Sequence, residues 1–191
     1  MRLFKPNIKM MNGLTYEDAD SLLRKFSKTY ENMTDYVRSH GGYQIATEET
    51  EFFGCWFGER RLITLRHDVN GPRMVSVLAF EMTNAFQNYE HLKVDKETRN
   101  GLLNMEQFVE MHETIEYHGQ LMHYQVIKEL SSVFGELPEE MFILNTPPNK
   151  KDLTSWVFPD LEAVLKAQND SGHSDFYRRW YPYQRSFYKK S

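Results

Sequence analysis

One stretch constrains the fold of this chain more than any other. Residues 72–92, PRMVSVLAFEMTNAFQNYEHL, carry one carboxylate, Glu81, in the middle of a strongly apolar run. The run follows a turn, and proline is tolerated at the start of a helix because the first N–H groups have no partner there, so the sequence predicts a helix from Pro72. Apolar residues at helical spacing predict its core face: Leu78, Met82, Ala85, Tyr89 and Leu92. We therefore expect Glu81 to be at least half buried and to need polar partners.

The remaining segments predict an α+β fold in a single domain, residues 1–191, with long helices packed on a small, mostly antiparallel sheet. Residues 1–13 are expected to be an extended lead-in, and residues 174–191 a basic and aromatic tail that wraps back on the domain. Capping pairs and apolar periodicity predict further helices at 15–40, 104–134 and 161–168. Alternation and turn residues predict strands at 43–46, 51–57 and 61–69, the last two forming a hairpin. Other predicted segments are a polar connection at 93–101, a turn and strand at 137–144, and a loop at 146–149.

Composition excludes several classes of protein. The 191 residues contain 23 Lys+Arg and 27 Asp+Glu, a net charge of -4 that leaves no electrostatic footprint for DNA. No apolar run is long enough to span a bilayer, and no signal-peptide pattern is present, so we expect a soluble protein that is cytoplasmic in the producing cell. Export by a machine that needs no signal peptide remains open. The lone cysteine, Cys55, cannot form an internal disulfide and is interpreted as a buried strand residue.

Polar residues that could take part in catalysis or binding occur on three predicted elements. The strand at 61–69 delivers polar side chains directly to the start of the central helix, where a carboxylate is electrostatically favoured. The long helix carries His112, Glu116 and His123 along one flank. We expect these groups to converge on one cavity. The catalytic candidates are Glu81, His67, Asp68, His112 and Glu116, and the binding candidates are Asn84, Arg66 and His123.

The central helix resembles a known family. LAFEMTNAF is similar to the active helix of zincin metallopeptidases, L-A-H-E-x-x-H-A, in which two histidines bind zinc and the glutamate activates water. Glu81 matches that glutamate, but Phe80 and Asn84 stand where the histidines belong. In small toxin and effector zincins a downstream helix gives the third ligand, a place that His112, Glu113 or Glu116 could take. The resemblance implies a former peptidase scaffold without zinc hydrolysis.

A carboxylate-bridged metal site between two helices is a further alternative, but its defining Glu-x-x-His pattern is missing. No metal ligand set and no cofactor are therefore predicted. The preferred hypothesis is a non-enzymatic interaction protein of the secreted-effector kind, associated with virulence, that binds a protein partner. A second hypothesis is a small hydrolase or lyase in which Glu81 is the general base, oriented by His67 or His112. A third is binding of RNA or an anionic surface through the tail. The oligomeric state is not indicated.

Overall fold

The computed structural model describes residues 8–144, 146–147, 149–150, 153 and 156–187. These residues confirm the α+β class, with seven α-helices and one three-stranded sheet. In chain order the elements are α1 (Tyr16–Phe26), α2 (Lys28–Ser39), β1 (Gln44–Glu48), β2 (Gly54–Phe57), β3 (Leu62–Arg66), α3 (Gly71–Phe86), α4 (Asn88–Arg99), α5 (Met105–Phe134), α6 (Leu161–Ser171) and α7 (Ser174–Ser186). Among the described residues, every helix is too short or too polar to cross a bilayer.

The contacts of the chain divide between two compact units, where the sequence predicts one domain. The first unit comprises Met1–Phe86 and Gln120–Phe158, and the second comprises Gln87–Gly119 and Pro159–Ser191. The first unit contains the sheet, α1 to α3 and the end of α5 around a large apolar core. The second unit contains α4, the start of α5, α6 and α7. Its smaller core consists of Val94, Phe108, Val109, Ile115 and Tyr177.

The helix predicted at 15–40 is two helices, because Ser27 breaks it. Thr15 and Asp18 form the predicted capping box at the start of α1. Ser27 has an extended backbone, and its side chain accepts a hydrogen bond from the Tyr30 N–H at 3.0 Å, so it begins α2. The Glu129 carboxylate accepts a second bond from the Ser27 hydroxyl at 2.6 Å. Serine therefore acts here as a helix start, and apolar periodicity alone does not reveal the break.

The sheet is mixed, with the strand order β1-β3-β2. The predicted hairpin is present, since β2 pairs with β3 antiparallel and Cys55 lies opposite Thr64. On the other side of β3, β1 pairs in parallel with Ile45 opposite Ile63. The central strand β3 has a neighbour at each edge, and successive residues Leu62 to Leu65 are buried, so both of its faces are covered.

The prediction of one helix over residues 72–92 is wrong at its C-terminal end. The helix α3 ends at Phe86, and α4 begins at Asn88 and continues through most of the predicted connection at 93–101. Tyr89 and Leu92, predicted to face the core, are exposed because they lie on α4. The apolar stripe of α3 therefore does not extend past Ala85.

The C-terminal half of the chain is more helical than its sequence suggests. Asn104 and Gln107 cap α5 reciprocally, and Gly135 follows its end with a positive φ of 82°. The predicted tail is the helix α7, and residues 188–191 lie outside the described residues. In the lead-in, residues 8–11 form a short 3-10 helix, while residues 1–7 are not described. At 137–144 the structure has a 3-10 turn, Glu139–Met141, without the expected strand, and the predicted loop contains two residues, 145 and 148, outside the described part.

Candidate functional site

Glu81 lies in the first unit on the buried face of α3 and is only 5% exposed. The Asn84 side-chain N–H donates to Glu81 Oε2 at 3.1 Å, a contact that the helical spacing of three residues permits. The expectation that Glu81 is buried beside a polar partner is therefore met. Asn84 occupies the second histidine position of the zincin pattern, and here it serves as a hydrogen-bond donor to the carboxylate.

Strand β2 packs directly against the face of α3 that carries Glu81. A Cβ atom added at Gly54 would lie 2.6 Å from Val77 Cγ1 and 3.0 Å from Glu81 Cγ. Both distances are too short for a carbon–carbon contact, so only glycine permits this approach of strand to helix. The aliphatic part of Glu81 is therefore covered by backbone, and no cavity separates it from the strand.

His123, a predicted binding residue, is buried in the first unit and bonded to α3. Its Nε2 lies 2.9 Å from the Ser76 hydroxyl, which donates its own proton to the Met141 carbonyl at 2.6 Å. His123 Nε2 must then be the donor, because the hydroxyl has only one proton to give. Burial lowers the pKa of His123 to about 4, and the bond to Ser76 opposes that shift. The imidazole is thus a neutral, fully engaged core group at pH 7.

The residues that precede α3 form a surface ion pair. The Arg66 guanidinium donates to both carboxylate oxygens of Asp68, with Nε 2.5 Å from Oδ1. This bidentate bond lowers the pKa of Asp68 below its usual value. Arg66 also lies over the ring of Phe53, 4.5 Å from its centroid, while His67 is exposed. Arg66 and Asp68 therefore satisfy each other in solvent.

His112 lies in the second unit, at the centre of a buried group of rings. Its ring stacks on Tyr177 with centroids 4.6 Å apart and on His91 with centroids 5.0 Å apart. The Nδ1 atoms of His91 and His112 are 2.7 Å apart, so one ring donates to the other. Burial and the neighbouring His112 lower the pKa of His91 to about 3. His91 is accordingly neutral at pH 7.

Three acidic side chains surround the same rings, and we call the whole set the polar cluster: His91, Asp95, His112, Glu113, Glu116, His173, Ser174 and Tyr177. His112 Nε2 lies 3.4 Å from Asp95 Oδ1, and neither atom has a hydrogen bond among the described residues. The Tyr177 hydroxyl donates to Glu116 Oε1 at 2.7 Å. Burial raises the pKa of Glu116 although this bond opposes the shift.

Glu113 is the most deeply buried carboxylate of the polar cluster, at 1% exposure. Its Oε1 accepts from the Ser174 hydroxyl at 2.7 Å and lies 3.2 Å from His173 Nδ1. The hydrogen bond to Glu113 raises the pKa of His173 above its usual value, against the opposing effect of burial. Protonation of His173 would therefore create a charge-assisted bond to Glu113.

The structure distributes most of the predicted site residues over three places, while His123 is bonded separately to Ser76 and His67 is exposed. It joins Glu81 to Asn84 within the first unit, and it joins Arg66 to Asp68 at the surface of that unit. It places His112 and Glu116 in the second unit, with Tyr177 as a shared neighbour.

Sequence reasoning did not select the partners of His112 and Glu116. They come from α4 and α7. The helix α4 covers the end of the helix predicted at 72–92 and most of the connection predicted at 93–101, and α7 lies in the predicted tail. The only signal for them is the helical spacing of Ser174 and Tyr177, which places both on the buried face of α7.

The polar cluster brings imidazoles and buried carboxylates into direct contact, whereas Glu81 has the Asn84 amide beside it and the backbone of β2 packed on its aliphatic part. No three His, Cys, Asp or Glu side chains in the described part of the chain are arranged to hold a metal ion. No family model matches the chain, and no curated protein or solved structure is significantly similar to it. The fold therefore defines the protein as an α+β chain with two buried polar regions among its described residues.

Proposed function

We propose that this protein acts by binding another protein, and that it binds through the aromatic face of α7. This face consists of Phe176, Trp180, Tyr183 and Phe187, whose exposures lie between 38% and 52%. The rings of Trp180 and Tyr183 are 4.7 Å apart, and those of Tyr183 and Phe187 are 5.2 Å apart, so these three side chains form one continuous surface. Phe176 precedes Trp180 by one helical turn on the same side of α7. A contiguous exposed aromatic surface is typical of protein interfaces.

The opposite face of α7 is anchored within the second unit. Tyr177 and Gln184 are buried there. Arg99 Nε donates to the Gln184 side-chain oxygen at 2.6 Å, and Arg185 donates to the Thr98 carbonyl at 3.2 Å. The helix is thus held in one rotational setting, and this setting directs four aromatic rings away from the core of their own unit.

The spacing and charge of α7 indicate the chemistry of the partner. Positions 176, 180, 183 and 187 follow the helical repeat with which an amphipathic helix occupies an apolar groove. Three arginines and one aspartate give α7 a positive charge within a chain of net charge -4. The partner that fits is a protein with an apolar groove rimmed by acidic side chains.

The surroundings of Glu81 support binding over catalysis at α3. The aliphatic part of Glu81 is covered by β2 at Gly54, and its carboxylate accepts a hydrogen bond from Asn84, as in a structural polar network. Catalysis by Glu81 with His67 or His112 would need an open approach to the carboxylate. Membership of the secreted-effector class rests on the resemblance of the α3 sequence to zincins and is part of the proposal.

The proposal is tested by measuring the binding of the whole chain to three probes at low and physiological salt. Calcium-loaded calmodulin represents an acidic-rimmed apolar groove, vesicles with anionic lipid represent a membrane surface, and a single-stranded RNA represents nucleic acid. We expect saturable binding to calmodulin that Trp180→Ala weakens about tenfold, because a central aromatic anchor contributes a large share of such an interface. The control Phe52→Ala removes a ring of the first unit that is more exposed than Trp180, at 63% against 38%, and should leave binding unchanged.

Other outcomes would identify a different function. Binding to RNA or to vesicles alone, with a steep dependence on salt, would replace the protein partner by an anionic surface. Binding that Phe52→Ala weakens as much as Trp180→Ala does would contradict the assignment to α7. Glu81→Gln should leave the binding of every probe unchanged, since the carboxylate takes no part in the proposed contact.

A further inference from the structure

A hydrogen bond between two histidine rings joins α4 to α5 in the second unit. The Nδ1 atom of His91 lies 2.7 Å from the Nδ1 atom of His112, which leaves space for a single proton between them. A neutral imidazole carries one N–H, and a charged imidazolium carries two, one on each nitrogen. The bond therefore exists only while one of the two Nδ1 atoms is without a proton.

The closed pair has a place for one positive charge. If both nitrogens of His112 are protonated, Nδ1–H donates to His91, and Nε2–H lies beside Asp95 Oδ1, at a nitrogen–oxygen distance of 3.4 Å. A second charge would place hydrogens on both Nδ1 atoms, well under about 1 Å apart, so the rings would have to separate. Burial and the neighbouring His112 lower the pKa of His91 to about 3, in agreement with this limit.

Few buried side chains hold α4 in place. Of its 12 residues only Val94 and Thr98 are buried. The side chain of Gln87, just before the helix, donates to the Ile115 carbonyl at 2.7 Å. Elements with few buried apolar contacts open locally before the whole chain unfolds. The bond made by His91 is therefore one of a small number of attachments between α4 and α5.

Other titratable and charged groups surround the pair on three helices. They are Asp95 and Arg99 on α4, Glu113 and Glu116 on α5, and His173 and Tyr177 on α7. The three carboxylates stabilise the first positive charge on the pair, but they do not change the number of protons that fit between the two Nδ1 atoms. Their own protonation in acid would also loosen the unit, so a test has to keep all of them in place.

We propose that the His91–His112 pair is an acid-sensitive clasp that holds α4 on α5. The clasp is closed while the pair carries no charge or one charge, and a second charge opens it. Arg99 and the Thr98 carbonyl of α4 anchor α7, so opening also removes support from the aromatic face of that helix. The clasp itself does not depend on what this face binds.

The pH range of the clasp follows from the proton count. In the open form both rings titrate near the usual pKa of about 6.5, so below that pH the open form binds at least one proton more than the closed form. The equilibrium constant for opening should then rise about tenfold for each unit that the pH falls below 6.5. The rise ends near the pKa of the closed His91, about 3. Above pH 6.5 the closed form has its full stability.

The test is hydrogen exchange of the backbone amides of the full chain from pH 7 to pH 4, corrected for the intrinsic exchange rate at each pH. We expect the protection of the α4 amides to fall about tenfold per pH unit below 6.5, while the amides of the sheet stay protected. His91→Asn places an amide beside His112 Nδ1 that can donate or accept and gains no charge. In this variant the protection of α4 should fall less than about threefold per pH unit.

Two control variants carry the same substitution at other histidines. His118→Asn replaces an exposed histidine of α5 in the same unit, and His123→Asn replaces the buried imidazole of the first unit. Both should keep the pH dependence of α4 seen in the unmodified protein. All three variants retain the carboxylates of the polar cluster, so a change confined to His91→Asn is caused by the histidine pair.

The clasp is ruled out if α4 and the sheet lose protection together at every pH, or if His91→Asn keeps the full pH dependence. Circular dichroism at pH 7 checks that this variant is folded. If it is not, the ¹⁵N shifts of the two rings in the unmodified protein decide the question, because they follow both protonation steps directly. Opening of α4 together with the second step supports the clasp, and an α4 that stays protected through both steps overturns it.

Discussion

The two buried polar regions of this chain differ in kind although each contains a carboxylate on a helix. Glu81 in α3 has one amide donor at 3.1 Å and is covered by the backbone of a strand. The polar cluster holds histidines and carboxylates in mutual contact, and burial shifts the pKa of His91 down and that of Glu116 up. A buried carboxylate alone therefore indicates little about function, whereas several titratable groups with shifted pKa values in one place are typical of functional sites.

The largest effect that would separate the two regions is expected at Gly54. Gly54→Val should lower the free energy of unfolding by about 3 kcal/mol or more, because its side chain would overlap Val77 and Glu81. Urea denaturation followed by fluorescence measures the change. A loss of this size would show that the Glu81 region is held by close packing of strand on helix.

A second substitution tests the cause of that loss. Val77→Ala removes the atom that lies 2.6 Å from the added Cβ, so the pair Gly54→Ala and Val77→Ala should be more stable than the two single changes would give if they were additive. Simple additivity, or a Gly54→Val protein as stable as the original, would mean that β2 can move away from α3 and that Glu81 can become accessible.

His112 provides the matching test for the polar cluster. His112→Ala removes a ring stacked on Tyr177 and on His91, and we expect a loss of about 3 kcal/mol, similar to other buried rings. His112→Phe keeps a ring but removes both nitrogens, so it separates stacking from the polar contacts. Recovery of most of the lost stability by His112→Phe would mean that close packing holds this region as it holds the one around Glu81, and the contrast between the two regions would disappear.

The two regions should also respond to pH in different ways. The pKa of His123, in the first unit, falls from 6.5 to about 4 on folding, so below pH 6.5 the unfolded chain binds a proton that the folded chain does not. Its contribution to stability is complete above pH 6.5 and is lost as the pH falls towards 4. The loss at pH 5 amounts to about 2 kcal/mol. His123→Asn should flatten this acid limb, as measured by urea denaturation from pH 8 to 4.

His173, in the second unit, shows the opposite sign. Its pKa is raised on folding by Glu113, so its contribution is complete below pH 6.5 and is lost as the pH rises through its folded value. The side chain is 44% exposed, so we expect this contribution to stay below about 1 kcal/mol. NMR titration of the ring protons checks both residues. A normal titration of His123 near pH 6.5 would contradict its burial.

The comparison also shows which parts of the molecule the sequence specifies. Local signals sufficed for the α+β class, the β2–β3 hairpin, the capping box at Thr15 and the capping pair that begins α5. Each of these depends on residues close together in the chain, where propensity and hydrogen bonding act directly. The burial of Glu81 was predictable for the same reason, because its apolar neighbours occupy the same helix.

Features that depend on distant residues were missed or wrong. The parallel pairing of β1 with β3 follows from the burial of β3 and has no local signature. Tyr89 and Leu92 fit the period of α3, but the chain turns at Gln87, so both are exposed. The contacts between α5 and α7 join residues about 60 positions apart, such as Glu116 and Tyr177, and helical spacing identifies a face without identifying its partner.

An effect smaller than that of His112→Ala tests whether Glu116 is charged within the polar cluster. Tyr177→Phe removes the hydroxyl that donates to Glu116 Oε1 at 2.7 Å and should cost about 1–2 kcal/mol at pH 7, as expected for a bond to a charged acceptor. In Tyr177→Phe the charged form of Glu116 loses its donor, so the pKa of Glu116 rises further in the variant. The loss of stability caused by Tyr177→Phe should therefore shrink as the pH falls through the pKa of Glu116. The control Tyr181→Phe removes a bond to the Leu103 carbonyl at 3.1 Å, and its cost should not depend on pH because that acceptor does not titrate. Parallel pH profiles for the two variants would mean that Glu116 carries no charge near neutral pH, and the polar cluster would then resemble the Glu81 region as a set of satisfied structural groups.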